Sequence, residues 1–143
     1  MTDRSSIQER IASTFTKVVF AGVAAPHDCP ECGRISTYLK GKTWGEVTGE
    51  FVDEYGGSLP LLTLESFSIF IPSFLWRCLE DPQREGAQSV VIHLCASEQA
   101  GNFSQAQRTL IRDAALNLIE NNGWGSEDES NVVHKAEIER NWK

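Results

Sequence analysis

The sequence predicts an all-α domain, a compact bundle of five to seven helices with one kinked at Pro72. Three observations predict it. Apolar residues recur at helical spacing along most of the chain. Helix-start signals of the Ser/Thr/Asp-x-x-Glu/Gln type recur between those stripes. Hairpin signals of the Asn-Gly type between alternating strands are missing. A small α+β fold is the alternative, because Val18-Val19-Phe20 and residues 89–94 also read as short buried strands.

The first helix is expected to open at Ser6, with Glu9 completing a capping box. Ile7, Ile11, Phe15 and Val18 or Val19 then share one face, and Gly22 and Pro26 end the element. Asp28 and Glu31 form a second box before Cys32, Ile35 and Leu39, with Gly41 as the stop. Thr43 and Glu46 form a third, followed by Val47, Phe51 and Tyr55. Gly45 and Gly49 weaken that helix by roughly 1 kcal/mol each relative to Ala.

Thr63 opens the most apolar element, from about Leu64 to Leu79. Phe67, Phe70, Ile71, Phe74, Leu75 and Cys78 cover more than half its circumference, which places it centrally. Pro72 removes a backbone hydrogen bond inside it, so a kink or break is expected there. Asp81-Pro82 reads as the cap and first residue of the next helix, whose buried side is Val90, Val91 and Leu94. Ser104 and Gln107 open the clearest stripe: Leu110, Ile111, Ala114, Ala115, Leu118 and Ile119, closed by Asn121-Asn122-Gly123. The last segment carries Val132, Val133, Ala136, Ile138 and Trp142 among many charges.

The 143 residues suit one domain, 1–143, with 124–143 as a peripheral C-terminal helix or tail. At 41% hydrophobic and 23% charged, the chain is not of disordered composition. Its net charge of −7 argues against nucleic acid and anionic membrane as partners, because both need a basic face. It suits a basic protein partner. No apolar run approaches the roughly 18 residues of a membrane span. The N-terminal stretch has no signal-peptide pattern, so a cytoplasmic protein with reduced thiols is expected. The four cysteines are Cys29, Cys32, Cys78 and Cys95.

One segment invites chemistry: His27-Asp28-Cys29-Pro30-Glu31-Cys32. A Cys-x-x-Cys loop brings two thiols to one side, and His27 adds a third donor. Zinc then needs a fourth ligand or a water. Cys78, Cys95, His93 and His134 are the candidates, all distant in sequence. A second reading is thiol redox. Cys-Pro-x-Cys at a helix N-terminus lowers the first thiol's pKa, making Cys29 the nucleophile and Cys32 the resolving thiol. Locally this resembles glutaredoxin over about 25 residues. The later hairpin is absent, Ser58-Leu59-Pro60 is the only candidate for the facing proline, and Asp28 and Glu31 oppose a thiolate. The third reading is structural, with Asp28 as a cap, Pro30 in the first turn and Cys32 as a small buried hydrophobe.

His93-x-Cys95 sits in an apolar stretch and reads as part of a buried helix. No phosphate loop, nucleophile elbow or zinc-protease motif occurs. Glu46, Glu50, Asp53 and Glu54 make an acidic face, either solvated or a docking surface for a basic partner. Glu127, Asp128 and Glu129 form a weaker second group.

Several fragments together resemble a family of small bacterial proteins of unknown function. They are His27-x-Cys29-x-x-Cys32, Leu39, Trp44, and Leu61-Leu62-Thr63-Leu64-Glu65-Ser66-Phe67 running on to Phe70-Ile71-Pro72-Ser73-Phe74-Leu75. The likeness spans about residues 5–120 and departs at Leu64, where the pattern has Pro. It implies no activity. It does imply that the Cys-x-x-Cys segment and the Pro72 helix form one unit.

The sequence-level expectation is therefore a non-enzymatic acidic protein that acts by protein–protein binding, of the toxin-neutralising (immunity) kind by analogy. The alternative is a zinc-stabilised or thiol-redox domain using Cys29-Pro30-Glu31-Cys32. No cofactor is expected in the first case, and zinc on His27, Cys29 and Cys32 in the second.

Overall fold

The computed structural model describes residues 3–121 and 129–143. Among them seven α-helices and three short 3-10 turns pack together, with no strand, so the all-α expectation holds and the α+β alternative does not. Residues 89–94 lie inside a helix. Phe20 is extended and bonds Lys42 and Gly41 through its backbone, at 3.0 and 2.7 Å, without forming a sheet.

Helix α1 spans Arg4–Thr14. Its cap is Asp3, whose carboxylate accepts the Ser6 N–H at 2.8 Å, so the expected Ser6 cap is corrected by three residues. Ile7 and Ile11 are buried as predicted. The helix stops well before Gly22. Phe15 turns extended at its end, and the β-branched residues that follow keep the chain out of the helix. Val18 and Val19 are consequently exposed, not on the buried face.

Helix α2 spans Pro30–Leu39 and buries Cys32, Ile35 and Leu39. Gly41 ends it at φ +79°, a conformation that favours glycine. The Thr43/Glu46 box forms, but it closes only a 3-10 turn, Trp44–Glu46. Val47 is extended after it, and Thr48 caps a separate helix α3, Gly49–Tyr55. A second 3-10 turn covers Gly56–Leu61.

Helix α4, Leu64–Glu80, is capped by Thr63 as expected and is central, with Phe67 to Leu79 lining the core. Pro72 does not break it. The carbonyl that loses its helical partner is that of Ser68, a half-buried residue. Asp81 closes α4 and makes a turn, accepting the Gln83 N–H at 3.2 Å. It is not the cap of the next helix. That helix, α5, spans Glu85–Cys95 and buries Val90, Val91 and Leu94.

Helix α6 spans Gln105–Asn121, and Ser104 and Gln107 exchange the two bonds of the predicted box at 2.9 and 3.1 Å. All six residues of its predicted stripe are buried. Asn122, Gly123, Glu127 and Asp128 lie outside the described residues. Helix α7, Glu129–Asn141, packs on α5 and α6. Ile138 and Trp142 are fully buried there, whereas Val132 and Val133 face outward at 62% and 55% exposure. The Trp142 indole donates to the Leu94 carbonyl at 2.9 Å.

Where α3 crosses α5, the backbones meet. A Cβ at Gly86 would stand 2.9 Å from the Val52 carbonyl carbon and 3.2 Å from the Asp53 Cα. Arg84 ties the same crossing to α4, donating to the Arg77 carbonyl at 3.0 Å and pairing with Asp53 at 3.2 Å.

Candidate metal centre

The segment before α2 is held at Ala24 and Ala25. Ala25 donates its N–H to Ser36 Oγ and accepts the same hydroxyl on its carbonyl, each at 3.0 Å. The Ala24 carbonyl accepts the Ser66 hydroxyl at 2.7 Å and the Thr63 N–H at 2.9 Å. The loop is thereby fixed to α2 on one side and to the first turn of α4 on the other. Ile35 of α2 and Phe74 of α4 also line one small apolar cavity.

At the helix start the cap is Cys29, not Asp28. Its sulfur accepts the Cys32 N–H at 3.3 Å, and its carbonyl accepts the Gly33 N–H at 3.0 Å. Pro30 occupies the first helical position, where its missing N–H costs nothing. The cap folds the chain so that one ring nitrogen of His27 and the sulfurs of Cys29 and Cys32 all lie within 4.8 Å of one another. His27 is exposed, Cys29 half-buried and Cys32 buried.

This geometry separates the two thiols electrically. Cys29 is lowered to about 7 by a hydrogen bond from the His27 side chain, then by those from Cys32. Cys32 is raised, chiefly because its thiol donates to Cys29 and because it is buried. The Glu31 carboxylate accepts the Ser58 hydroxyl at 2.8 Å, so its principal contact is away from the thiols.

The donor set fits a borderline divalent ion. Tetrahedral zinc at ordinary Zn–S and Zn–N lengths puts its ligand atoms roughly 3.6–3.8 Å apart, a short closure from the spread seen here. None of the four distant candidates joins the cluster. Cys78 is buried and pushed up to about 12 by desolvation. His93 bonds the Gly57 carbonyl at 2.9 Å. Cys95 and His134 stand instead with Glu137 in a second group whose ligand atoms are also within 4.8 Å of one another. Glu137 escaped sequence reasoning, although His134-x-x-Glu137 puts both side chains on one helix face.

Compared with protein-family models, curated proteins and solved structures, the chain matches none.

The acidic face divides. Glu50 and Glu54 are exposed on α3. Glu46 accepts the Thr43 N–H within its box. Asp53 is engaged in the fold, paired with Arg84 and accepting the Gly86 N–H at 3.3 Å. No described helix is long and apolar enough to cross a membrane.

Proposed function

We propose that this chain is a small helical metal-binding domain that holds zinc on His27, Cys29 and Cys32. The observation that supports the reading is the convergence of three soft or borderline donors within 4.8 Å at one helix start. Two more features favour it. The chain just before the donors is anchored to two helices at Ala24 and Ala25, and the Cys29 cap ties Cys29 to Cys32. Cys29 has hydrogen bonds that favour the thiolate, the form that ligates metal. With three protein ligands, zinc keeps a fourth position for water or for a donor from a substrate or partner. Both thiols would bind deprotonated and His27 neutral, so loading releases protons and strengthens with pH.

Elemental analysis of reduced, zinc-loaded protein tests this. The wild type should lose about one zinc per chain on Cys29→Ser/Cys32→Ser substitution, with a lower melting temperature after chelation. Equal zinc in both proteins would overturn the reading.

Docking of a basic protein is the second reading. It rests on exposed Glu50 and Glu54 and the net charge of −7. If it is correct, Glu50→Lys/Glu54→Lys slows association with a basic partner at low salt, while leaving zinc content unchanged.

A further inference from the structure

We infer that Cys95, His134 and Glu137 form a second, separate divalent-metal site, of the zinc class, that fastens α7 to the end of α5. Cys95 is the last residue of α5, and His134 and Glu137 are three apart on α7, so both face the same neighbour. Their ligand atoms lie within 4.8 Å of one another. The two helices are already held in register by side chains at the end of α7 that bond carbonyls at the end of α5. Asn141 Nδ2 donates to the Cys95 carbonyl at 2.6 Å, and the Trp142 indole donates to that of Leu94. The donors therefore sit on rigid elements whose relative position other contacts determine.

The chemistry of the set is that of a metal site. The Cys95 thiol already points at α7, donating to the His134 carbonyl at 3.6 Å. A thiolate, a carboxylate and a neutral imidazole together carry the charge that balances a divalent ion, and zinc accepts S, N and O donors alike. Cys95 is buried while His134 and Glu137 are half-buried, which leaves the imidazole and carboxylate side open for ion entry.

Cobalt(II) titration followed by absorbance tests this, because a thiolate ligand gives a near-ultraviolet charge-transfer band that oxygen and nitrogen ligands do not. The Cys29→Ser/Cys32→Ser variant should still bind one equivalent with such a band, and adding His134→Ala should abolish it. The Cys95→Ala variant supplies the complementary reading if that background folds poorly, since wild-type stoichiometry should fall from two to one. Wild-type stoichiometry of one, abolished by Cys29→Ser/Cys32→Ser and untouched by Cys95→Ala, would overturn the second site. Stoichiometry of one abolished only by Cys95→Ala would uphold it and overturn the first.

Discussion

The α3–α5 crossing allows a sharp test of the packing. Gly86→Ala adds one methyl to the second residue of α5. In an open helix the change stabilises by about 0.5–1 kcal/mol, because alanine loses less backbone freedom than glycine. At Gly86 the new carbon would run into the Val52 carbonyl oxygen first, with the carbonyl carbon at 2.9 Å and the Asp53 Cα at 3.2 Å. All three are backbone atoms of a packed helix and cannot rotate away. The helices must separate to clear the carbonyl oxygen. That movement also strains the Gly86 N–H bond to Asp53 and the Arg84–Asp53 pair. Overpacking of this kind costs about 1–3 kcal/mol, and a backbone oxygen as the nearest contact puts Gly86 in the upper half of that range, so after a propensity gain of at most about 1 kcal/mol the net loss is about 1–2 kcal/mol. Gly33→Ala is the control. Gly33 is exposed in α2, and a Cβ there meets nothing within 4 Å, so the same substitution should stabilise by about 0.5–1 kcal/mol. Urea unfolding followed by circular dichroism reads both. A Gly86→Ala protein as stable as the wild type would refute the close approach, whatever Gly33→Ala does.

Further predictions concern the site, its support and the docking of α7. Alkylation of Cys29 should rise with pH with a midpoint near 7, and His27→Ala should move that midpoint upward; a midpoint at the free-thiol value would contradict the His27–Cys29 hydrogen bond and, with it, the bonds from Cys32. Because the folded value lies below the free one, the thiolate's stabilising contribution is present above the free value and is lost as pH falls through about 7. Ser66→Ala should cost about 1–2 kcal/mol in urea unfolding, since the Ala24 carbonyl keeps only the Thr63 N–H, and no loss would show that the loop is not anchored there. Trp142→Ala removes a fully buried side chain and should cost about 3–5 kcal/mol; a loss below 1 kcal/mol would mean that α7 is not docked.

What could be read from the sequence was local. Thr63 and Ser104 cap helices by bonds to residues three positions away, and spacing alone exposes such pairs. The His27, Cys29 and Cys32 group falls within six residues, so its convergence also follows from spacing. Cys29 as the cap was hidden because a thiol is not among the usual capping residues, and Asp28 beside it is. Other features depend on tertiary placement. The Ser66–Ala24 bond joins residues 42 apart. Val132 and Val133 are among the most apolar residues of α7, yet Ile138 and Trp142 take the buried face, and which face docks depends on the Leu94 and Cys95 carbonyls that Trp142 and Asn141 reach. Cys95 and His134 were visible as metal donors, but only the packing of α7 on α5 brings them to each other and not to Cys29.

The central claim is that His27, Cys29 and Cys32 ligate zinc, and X-ray absorption on the zinc-loaded Cys95→Ala protein tests it most directly. That variant leaves the first cluster as the thiol site. Two sulfur scatterers at about 2.3 Å with a nitrogen at about 2.0–2.1 Å are predicted. A first shell of nitrogen and oxygen alone would contradict it.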